Sequence, residues 1–306
     1  MGKSSEMAEC TIVVEPSIDR NDIKKKNLYW FSSKGETLRL SPYTLLHAAN
    51  RQNEEYLMSL DLPKEMLDMY KAKANKANKE SRRLETQGMG ELVTCIADGR
   101  VRLSLLLDTA GGLQNYQDEI KKIQEFLSRS GGEFMAFGGE RVFSLGALLL
   151  MTAAKGDRYV HPMSQVMFHL GESDPRMSLS RRDFQRDRKW EIEKLCAELI
   201  GETVPEKRKE MKKWLKKNLL AERPKRKDRP VELSGKSMEG WGMAKSLRIE
   251  PMRQEYLKRH GIVWESVEGT PIDHFFGRLQ QYEVESDSVI KRLLAVFKAE
   301  NDENDE

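Results

Sequence analysis

Apolar residues between positions 86 and 170 alternate between strand-like runs and helix-like stripes. The run VRLSLLLDT, followed by Gly111 and Gly112, is typical of a buried strand that ends in a turn. The next apolar residues recur at the spacing of one helix face: Tyr116, Ile120, Ile123 and Leu127. EFMAFGG predicts a short strand, SLGALLLMTAAKG an apolar helix over 144–154, and DRYVHP and SQVMFHL two more short strands. This alternation of strands and helices predicts an α/β fold.

The first 85 residues are more polar than this central part. NLYWFSS predicts one strand, and SPYTLLHAANRQNEEYLMSL predicts a helix with Ser41 as its N-cap and Pro42 in its first turn. The basic stretch 71–83, KAKANKANKESRR, contains few apolar residues, so we expect a solvated helix or a mobile linker there.

The chain beyond residue 175 is also strongly charged. Segment 176–229 is predicted to be helical, with apolar stripes that include Trp190 and Trp214. The last residues, AENDENDE, are acidic and are predicted to be disordered. The sequence thus predicts three parts: an N-terminal extension (1–85), a core (86–250) and a C-terminal extension (251–306) with a disordered tail.

The overall charge argues against a nucleic-acid-binding protein. The formal net charge is +3, and charged residues of both signs make up 33% of the chain. One segment departs from this balance, because 207–229 contains 12 Lys or Arg residues and three acidic residues. It matches no nucleic-acid-binding module, so we interpret it as a solvated helix face rather than as a surface for nucleic acid or acidic lipid.

Cysteine usage and hydropathy indicate a cytoplasmic protein. The three cysteines, Cys10, Cys95 and Cys196, are far apart and have no metal-site spacing, which favours reduced thiols. The N-terminus lacks the apolar core of a signal peptide. No apolar run reaches the length that a membrane span needs.

Ser144 stands at the start of the apolar helix, where the chemistry of its hydroxyl depends on its surroundings. A serine becomes a good nucleophile when a nearby base accepts its proton, and the resulting oxyanion needs backbone N–H donors. The first N–H groups of a helix have no partner within the helix and can supply such donors. Taken alone, this pattern is more typical of a serine that only caps a core helix.

Two blocks of the sequence closely resemble the Clp protease proteolytic subunit (ClpP) family. GGERVFSLGALLLMTAAKGDRYVHPMSQVMFHLGE is similar to the family's central segment, and LLLDTAGG to a strand end that carries the same Gly-Gly pair. ELSGKSMEGWGMAKSL, over 232–247, is similar to a segment near the family's C-terminus. The likeness extends over about 100–247, which is under half of the chain.

The resemblance assigns roles to four residues. Ser144 matches the family's nucleophile and His169 its general base, at the 25-residue spacing of the family. The backbone N–H groups of Gly112 and Leu145 match the donors of the oxyanion hole. The chain would then be a serine endopeptidase that needs neither a metal nor an organic cofactor.

The resemblance also implies an architecture and partners. Members have a ClpP/crotonase fold of repeated ββα units, and a helical handle after the general base joins two rings. A member of this family would form a homo-oligomeric ring, cleave peptides or unfolded proteins and work with an AAA+ unfoldase. The apolar stripes of 176–229 are candidates for the handle interface, although packing within one subunit would explain them as well.

The sequence departs from the family at the third member of the catalytic triad. Pro230 stands where the family has the aspartate that orients the histidine. Asp228 and Glu232 are two residues away on either side and are the candidate replacements. The competing interpretation of Asp228, which its basic neighbours favour, is a surface charge beside Arg226 or Arg229. Without an orienting carboxylate the imidazole loses its useful tautomer, which lowers the rate by orders of magnitude.

Three functions therefore compete. The first is a ClpP-like serine peptidase. The second is a weakly active or inactive ClpP-like subunit that acts in assembly or as a scaffold, which Pro230 favours. The third is an acyl-CoA enzyme of the crotonase type, which ranks last because that chemistry usually employs a carboxylate base rather than a Ser–His pair.

Overall fold

Nine strands form one mixed sheet in the described part of the chain. The computed structural model describes residues 7–14, 28–32, 37–40, 58, 61–111, 120–121, 123–125, 127–128, 131–168, 209–210, 212–214 and 231–304. The strands are β1 (Ala8–Val14), β2 (Leu28–Phe31), β3 (Thr37–Leu40), β4 (Val101–Thr109), β5 (Glu133–Phe143), β6 (Arg158–Val160), β7 (Gln165–Phe168), β8 (Val231–Ser234) and β9 (Lys245–Ser246). Their spatial order is β3–β2–β1–β4–β5–β6–β9, with β7 paired to β5 and β8 paired to β7.

Five of the eight strand pairings are parallel, and helices flank the sheet. The helices are α1 (Lys64–Thr86), α2 (Gly90–Ala97), α3 (Leu145–Thr152), α4 (Gly235–Gly240), α5 (Ile249–His260) and α6 (Pro271–Asn304). Residues 120–121, 123–125 and 127–128 are also helical, as are 209–210 and 212–214. The predicted α/β class is therefore confirmed.

The sheet buries both of its faces, as a mostly parallel sheet does. Successive side chains of a strand point to opposite faces, so Leu105 and Leu106 of β4 enter different cores. Leu105 packs in the core that includes residues of α1, α2 and α3. Leu106 packs in the core formed with α5 and α6.

Both predicted extensions contribute to this core. β1 lies in parallel register beside β4, with Ala8 opposite Val101. The stretch 71–83 is part of helix α1 and is not a linker; most of its described side chains are exposed, as expected of a solvated helix, whereas Ala74 and Ala77 are buried. Helices α5 and α6 cover one face of the sheet, and α6 continues to Asn304, so most of the tail predicted to be disordered is helical.

The central elements follow their sequence patterns closely. β2, β4, β6 and β7 fall within the predicted strands, and α3 occupies most of the predicted 144–154 helix. Ile120, Ile123 and Leu127 are helical and buried as expected, whereas Tyr116 lies outside the described residues. Most of the predicted 176–229 handle also lies outside them. Trp214, which is described, packs partly buried against the core beside Trp241.

Strand β5 is longer than predicted because it bends and continues. Leu107 pairs with Gly138 and Thr109 with Val142, so one residue of β4 faces three residues of β5, Gly139 to Arg141. Before this bulge β5 pairs with β6, and from Arg141 onward β5 pairs with β7. A bulge of this kind re-aims the strand that contains it. Here the re-aimed part of β5 ends at Phe143, directly before Ser144.

Candidate active site

Ser144 occupies a sharp turn between strand β5 and helix α3. Its backbone has φ 55° and ψ −116°, and it is the only non-glycine residue with positive φ among the residues that the structure describes. Such a conformation costs about 1–3 kcal/mol and persists only where the surrounding structure enforces it. Its side chain is partly exposed. A strained serine between a strand and a helix is the geometry that exposes the nucleophile in α/β-hydrolases.

Hydrogen bonds hold the Ser144 turn on both sides. The Ser144 N–H donates to the carbonyl oxygen of Met167 at 2.8 Å, which ties the turn to β7. The Ser144 carbonyl accepts the N–H of Leu148 at 3.3 Å, which begins the hydrogen-bond ladder of α3. The neighbouring strands are in register, with Phe143 opposite Met167. The serine backbone is therefore fixed by the sheet and by the helix at once.

Two glycines allow the chain to pass close to Ser144. A Cβ atom on Gly111 would lie 2.7 Å from the Ser144 Cβ and 3.2 Å from its Oγ, and Gly111 has φ 107°. A Cβ on Gly146 would lie 2.6 Å from the Thr109 Cγ2. The Gly111 N–H donates to the Thr109 Oγ1 at 3.1 Å. Glycine at position 111 therefore leaves room for the Ser144 hydroxyl. Glycine at position 146 allows the close contact between α3 and β4.

One predicted oxyanion donor, Leu145, lies where the sequence places it. Leu145 is the first residue of α3, and the first N–H groups of a helix have no acceptor within it. Its side chain is buried in the core, which fixes the start of the helix. Gly112, the other predicted donor, lies outside the described residues. Its neighbour Gly111 approaches Ser144 closely, as shown above.

His169 and Asp228 lie outside the described residues, as does Pro230. His169 follows Phe168, the last residue of β7, and Pro230 precedes Val231, the first residue of β8. Phe168 and Val231 are directly opposite each other in antiparallel register. Asp228 is two residues before Pro230 and is not described either. The Ser144 N–H is thus hydrogen-bonded to Met167, two positions before His169. The role of His169 stays a prediction.

Glu232, the second candidate for the orienting carboxylate, is described. It lies on β8 opposite Met167, whose carbonyl accepts the Ser144 N–H, and its side chain is exposed. The β7–β8 pairing therefore brings one of the two candidate carboxylates to the strand next to the Ser144 turn. No described contact joins Glu232 to a histidine.

Arg158 stabilises the other end of helix α3. Arg158 is 7% exposed, and its guanidinium donates to the carbonyl oxygens of Ala153 at 2.7 Å, Met151 at 2.9 Å and Met243 at 3.3 Å. Burial lowers the pKa of Arg158 to about 10. The last carbonyls of a helix lack partners within it, and a cation at this end interacts favourably with the negative end of the helix dipole. Arg158 thereby anchors the helix that begins at Ser144.

Besides the predicted site at Ser144, a second serine–histidine–carboxylate arrangement lies inside the protein, and no sequence motif predicted it. His260 Nε2 lies 2.6 Å from Ser104 Oγ, and His260 Nδ1 lies 2.9 Å from Glu9 Oε2. The Glu9 carboxylate also accepts from Arg102 at 2.7 Å. Burial lowers the pKa of His260, although Glu9 acts in the opposite direction. Ser104 is fully buried, so this chain joins α5 to the sheet rather than facing a substrate.

No local signal in the sequence could have identified this second chain. Ser104 and His260 are 156 residues apart and belong to elements whose contact depends on the whole fold.

Among the described residues, no group of three or more His, Cys, Asp or Glu side chains is arranged to hold a metal ion. None of the described helices combines the length and the apolar character needed to cross a membrane.

Comparisons with known proteins do not assign this chain to a family. The sequence matches no protein-family model, and no curated protein matches it. The function is therefore inferred from the residues themselves and from the resemblance of their motifs to ClpP.

Proposed function

We propose that this chain is a ClpP-like serine peptidase in which Ser144 is the nucleophile. The observation that carries the proposal is the backbone of Ser144, a non-glycine residue held at positive φ where a strand meets a helix. A serine that only caps a helix adopts an ordinary extended conformation, as Ser234 does at the start of α4 with φ −71° and ψ 158°. The unfavourable conformation of Ser144 therefore favours a function over a capping role.

The proposed reaction is acyl transfer from a peptide to Ser144 and then to water. The Ser144 Oγ attacks the scissile carbonyl carbon while His169 accepts the hydroxyl proton. The N–H groups of Leu145 and Gly112 stabilise the oxyanion of the tetrahedral intermediate. His169 returns the proton to the leaving amine, and water then cleaves the acyl-serine ester by the same route in reverse.

The orienting carboxylate in this proposal is Asp228 or Glu232. Glu232 has the support that its strand pairs with the strand leading to His169. Peptides or unfolded chains are the proposed substrates. By analogy with the family, the proposed assembly is a cytoplasmic homo-oligomeric ring that works with an AAA+ unfoldase.

A fluorophosphonate probe tests the proposal directly, because it forms a covalent bond only with an activated serine. The full-length protein should be labelled at Ser144, and Ser144→Ala and His169→Ala should abolish the labelling. Ser104→Ala is the matched control, because it removes a serine hydroxyl that lies within hydrogen-bond distance of the His260 ring. It should leave labelling intact, and a peptide map should locate the probe on the fragment that contains Ser144.

The second candidate function is an inactive ClpP-like subunit, which Pro230 at the expected aspartate position favours. An assembled, folded protein that no fluorophosphonate labels would support this candidate and contradict the peptidase. Light scattering after size exclusion establishes the assembly state in the same sample. Glu232→Gln and Asp228→Asn then show which carboxylate, if either, supports the labelling rate.

A further inference from the structure

The bend in β5 that leads to Ser144 has two polar backbone groups with specific side-chain partners. The hydroxyl of Ser164, in the β6–β7 turn, donates to the Gly139 carbonyl oxygen at 2.5 Å. The carboxylate of Asp108, near the end of β4, accepts the Arg141 N–H at 3.1 Å. The bulge interrupts the pairing of these residues with β4, so the two side chains satisfy backbone groups that the β4 ladder leaves without partners.

One face of helix α6 contacts both sides of this bend. Phe275, Arg278 and Tyr282 are spaced by three and four residues, so they line one face of the helix. The Phe275 ring lies against Gly139, where an added Cβ would be 3.0 Å from a ring carbon. The Arg278 guanidinium lies 3.4 Å from the Asp108 carboxylate.

The same face reaches the turn that contains Ser164. The Tyr282 hydroxyl donates to the carbonyl oxygen of Met163 at 2.8 Å. Glu283, the next residue of α6, lies 3.7 Å from the buried His161 Nε2, and Met163 donates its N–H to His161 Nδ1 at 3.3 Å. The turn that supports the bend is thus itself supported by α6.

Two short chains of contacts therefore run from α6 to the backbone next to Ser144. The first joins Arg278 to Asp108 and then to the Arg141 N–H. The second joins Tyr282 to the turn containing Met163 and Ser164, and from there to the Gly139 carbonyl. Arg141 is three residues before Ser144. A shift of the bend would therefore be transmitted directly to the Ser144 turn.

We infer that helix α6, far from the site in the sequence, positions the nucleophile through the bend in β5. Arg278 and Tyr282 are positioning residues, which act through Asp108 and Ser164 and do not touch the substrate. The inference rests on the proposed function of Ser144 for its effect on chemistry. Displacement of a reacting group by about 1 Å can lower a rate about a hundredfold.

The test compares variants of the full-length chain that remove one contact each. Tyr282→Phe removes only a hydroxyl, and Arg278→Gln removes only the charge and the fork of the guanidinium. Asp108→Ala removes the acceptor of the Arg141 N–H, whereas Asp108→Asn keeps an oxygen acceptor. Tyr70→Phe is the control for the loss of a tyrosine hydroxyl, because Tyr70 belongs to α1, which contributes none of the contacts to the bend described above.

The readout is the rate of fluorophosphonate labelling as a function of probe concentration. The Tyr282→Phe and Arg278→Gln double variant should lower the maximal rate roughly tenfold to a hundredfold without changing the half-saturating concentration. Asp108→Asn should recover part of the rate that Asp108→Ala loses, and Tyr70→Phe should match the wild type. A folded double variant that is labelled at the wild-type rate overturns the inference.

Hydrogen exchange separates this inference from the proposed function. The Ser144 N–H is bonded to Met167, so its exchange reports the geometry of the turn without any chemistry. If the wild type is not labelled but the α6 variants accelerate exchange in the peptide containing Ser144 and Leu145, the peptidase proposal fails and the positioning by α6 stands. If exchange in that peptide is unchanged in the variants, the positioning role is wrong whether or not the wild type is labelled.

Discussion

The Ser144 N–H donates a hydrogen bond to the carbonyl oxygen of Met167, two residues before His169. This bond fixes the distance between the end of β5 and the end of β7. It therefore connects the predicted nucleophile to the strand that leads to the predicted base. It also holds Ser144 at positive φ, because the N–H must face β7 while the carbonyl enters the ladder of α3.

Ser144→Gly should stabilise the fold relative to Ser144→Ala while both variants lose labelling. Glycine adopts φ 55° without steric strain, whereas alanine retains the strain of the serine. We expect Ser144→Gly to be more stable than Ser144→Ala by about 1 kcal/mol in urea denaturation. An Ala variant as stable as the Gly variant would show that the turn is not strained.

Gly146→Ala should destabilise the protein although alanine favours helices. The new Cβ would meet the Thr109 Cγ2 at 2.6 Å, and overpacking of this kind typically costs about 1–3 kcal/mol. Thr109→Ser removes that methyl group and keeps the hydroxyl that accepts the Gly111 N–H. The double variant should therefore regain most of the lost stability, and additive losses in the double-mutant cycle would contradict this explanation.

Arg158→Met should destabilise the protein strongly and should not be rescued by Arg158→Lys. Three carbonyl oxygens, two of them at the end of α3, lose their buried donor in the Met variant, for an expected loss of about 3 kcal/mol or more. A lysine ammonium cannot reproduce the planar guanidinium, whose N–H groups donate to all three carbonyl oxygens. Arg82→Met, on the exposed face of α1, is the control, and melting temperatures compare the three variants.

The stability of the fold should decrease below pH 6.5, in part because of His260. Burial lowers the pKa of this side chain in the folded state, so the unfolded chain binds the proton first as the pH falls through its ordinary value of 6.5. The His260 contribution is therefore present above pH 6.5 and is lost below it. The groups that face the ring are Glu9 on β1, Ser104 and Arg102 on β4, Glu133 on β5, Phe31 on β2 and Tyr256 on α5.

Urea denaturation at pH 7, 6 and 5 checks this expectation with His260→Gln beside the wild type. The variant should be less stable at pH 7 but should lose less stability between pH 7 and pH 5, by up to about 1.4 kcal/mol per pH unit for one proton. Burial lowers the pKa of His161 as well, so the variant keeps a smaller slope of the same sign. Equal slopes in both proteins would exclude His260 as a source of the pH dependence.

Local patterns predicted much of the central architecture. The apolar runs and the turn residues that bound them identified β4, β6, β7 and the apolar helix α3. These signals are local, because they depend only on residues that are close in the sequence. The position of Ser144 at the start of that helix followed from the same pattern. The limits of β5 did not, because the bulge at Gly139–Arg141 is stabilised by side chains from β4 and the β6–β7 turn.

By itself the sequence determined the α/β class, the strand and helix order of the central part and the place of the candidate nucleophile at the start of a helix. The roles of His169, Gly112 and Asp228 rest on the resemblance alone. Only the tertiary structure decided that Ser144 has positive φ, that Arg158 serves the end of α3, and that α6 lies against the bend before the serine. These features join residues that are distant in the chain, and such contacts form only when the whole sheet and both of its covering layers pack together.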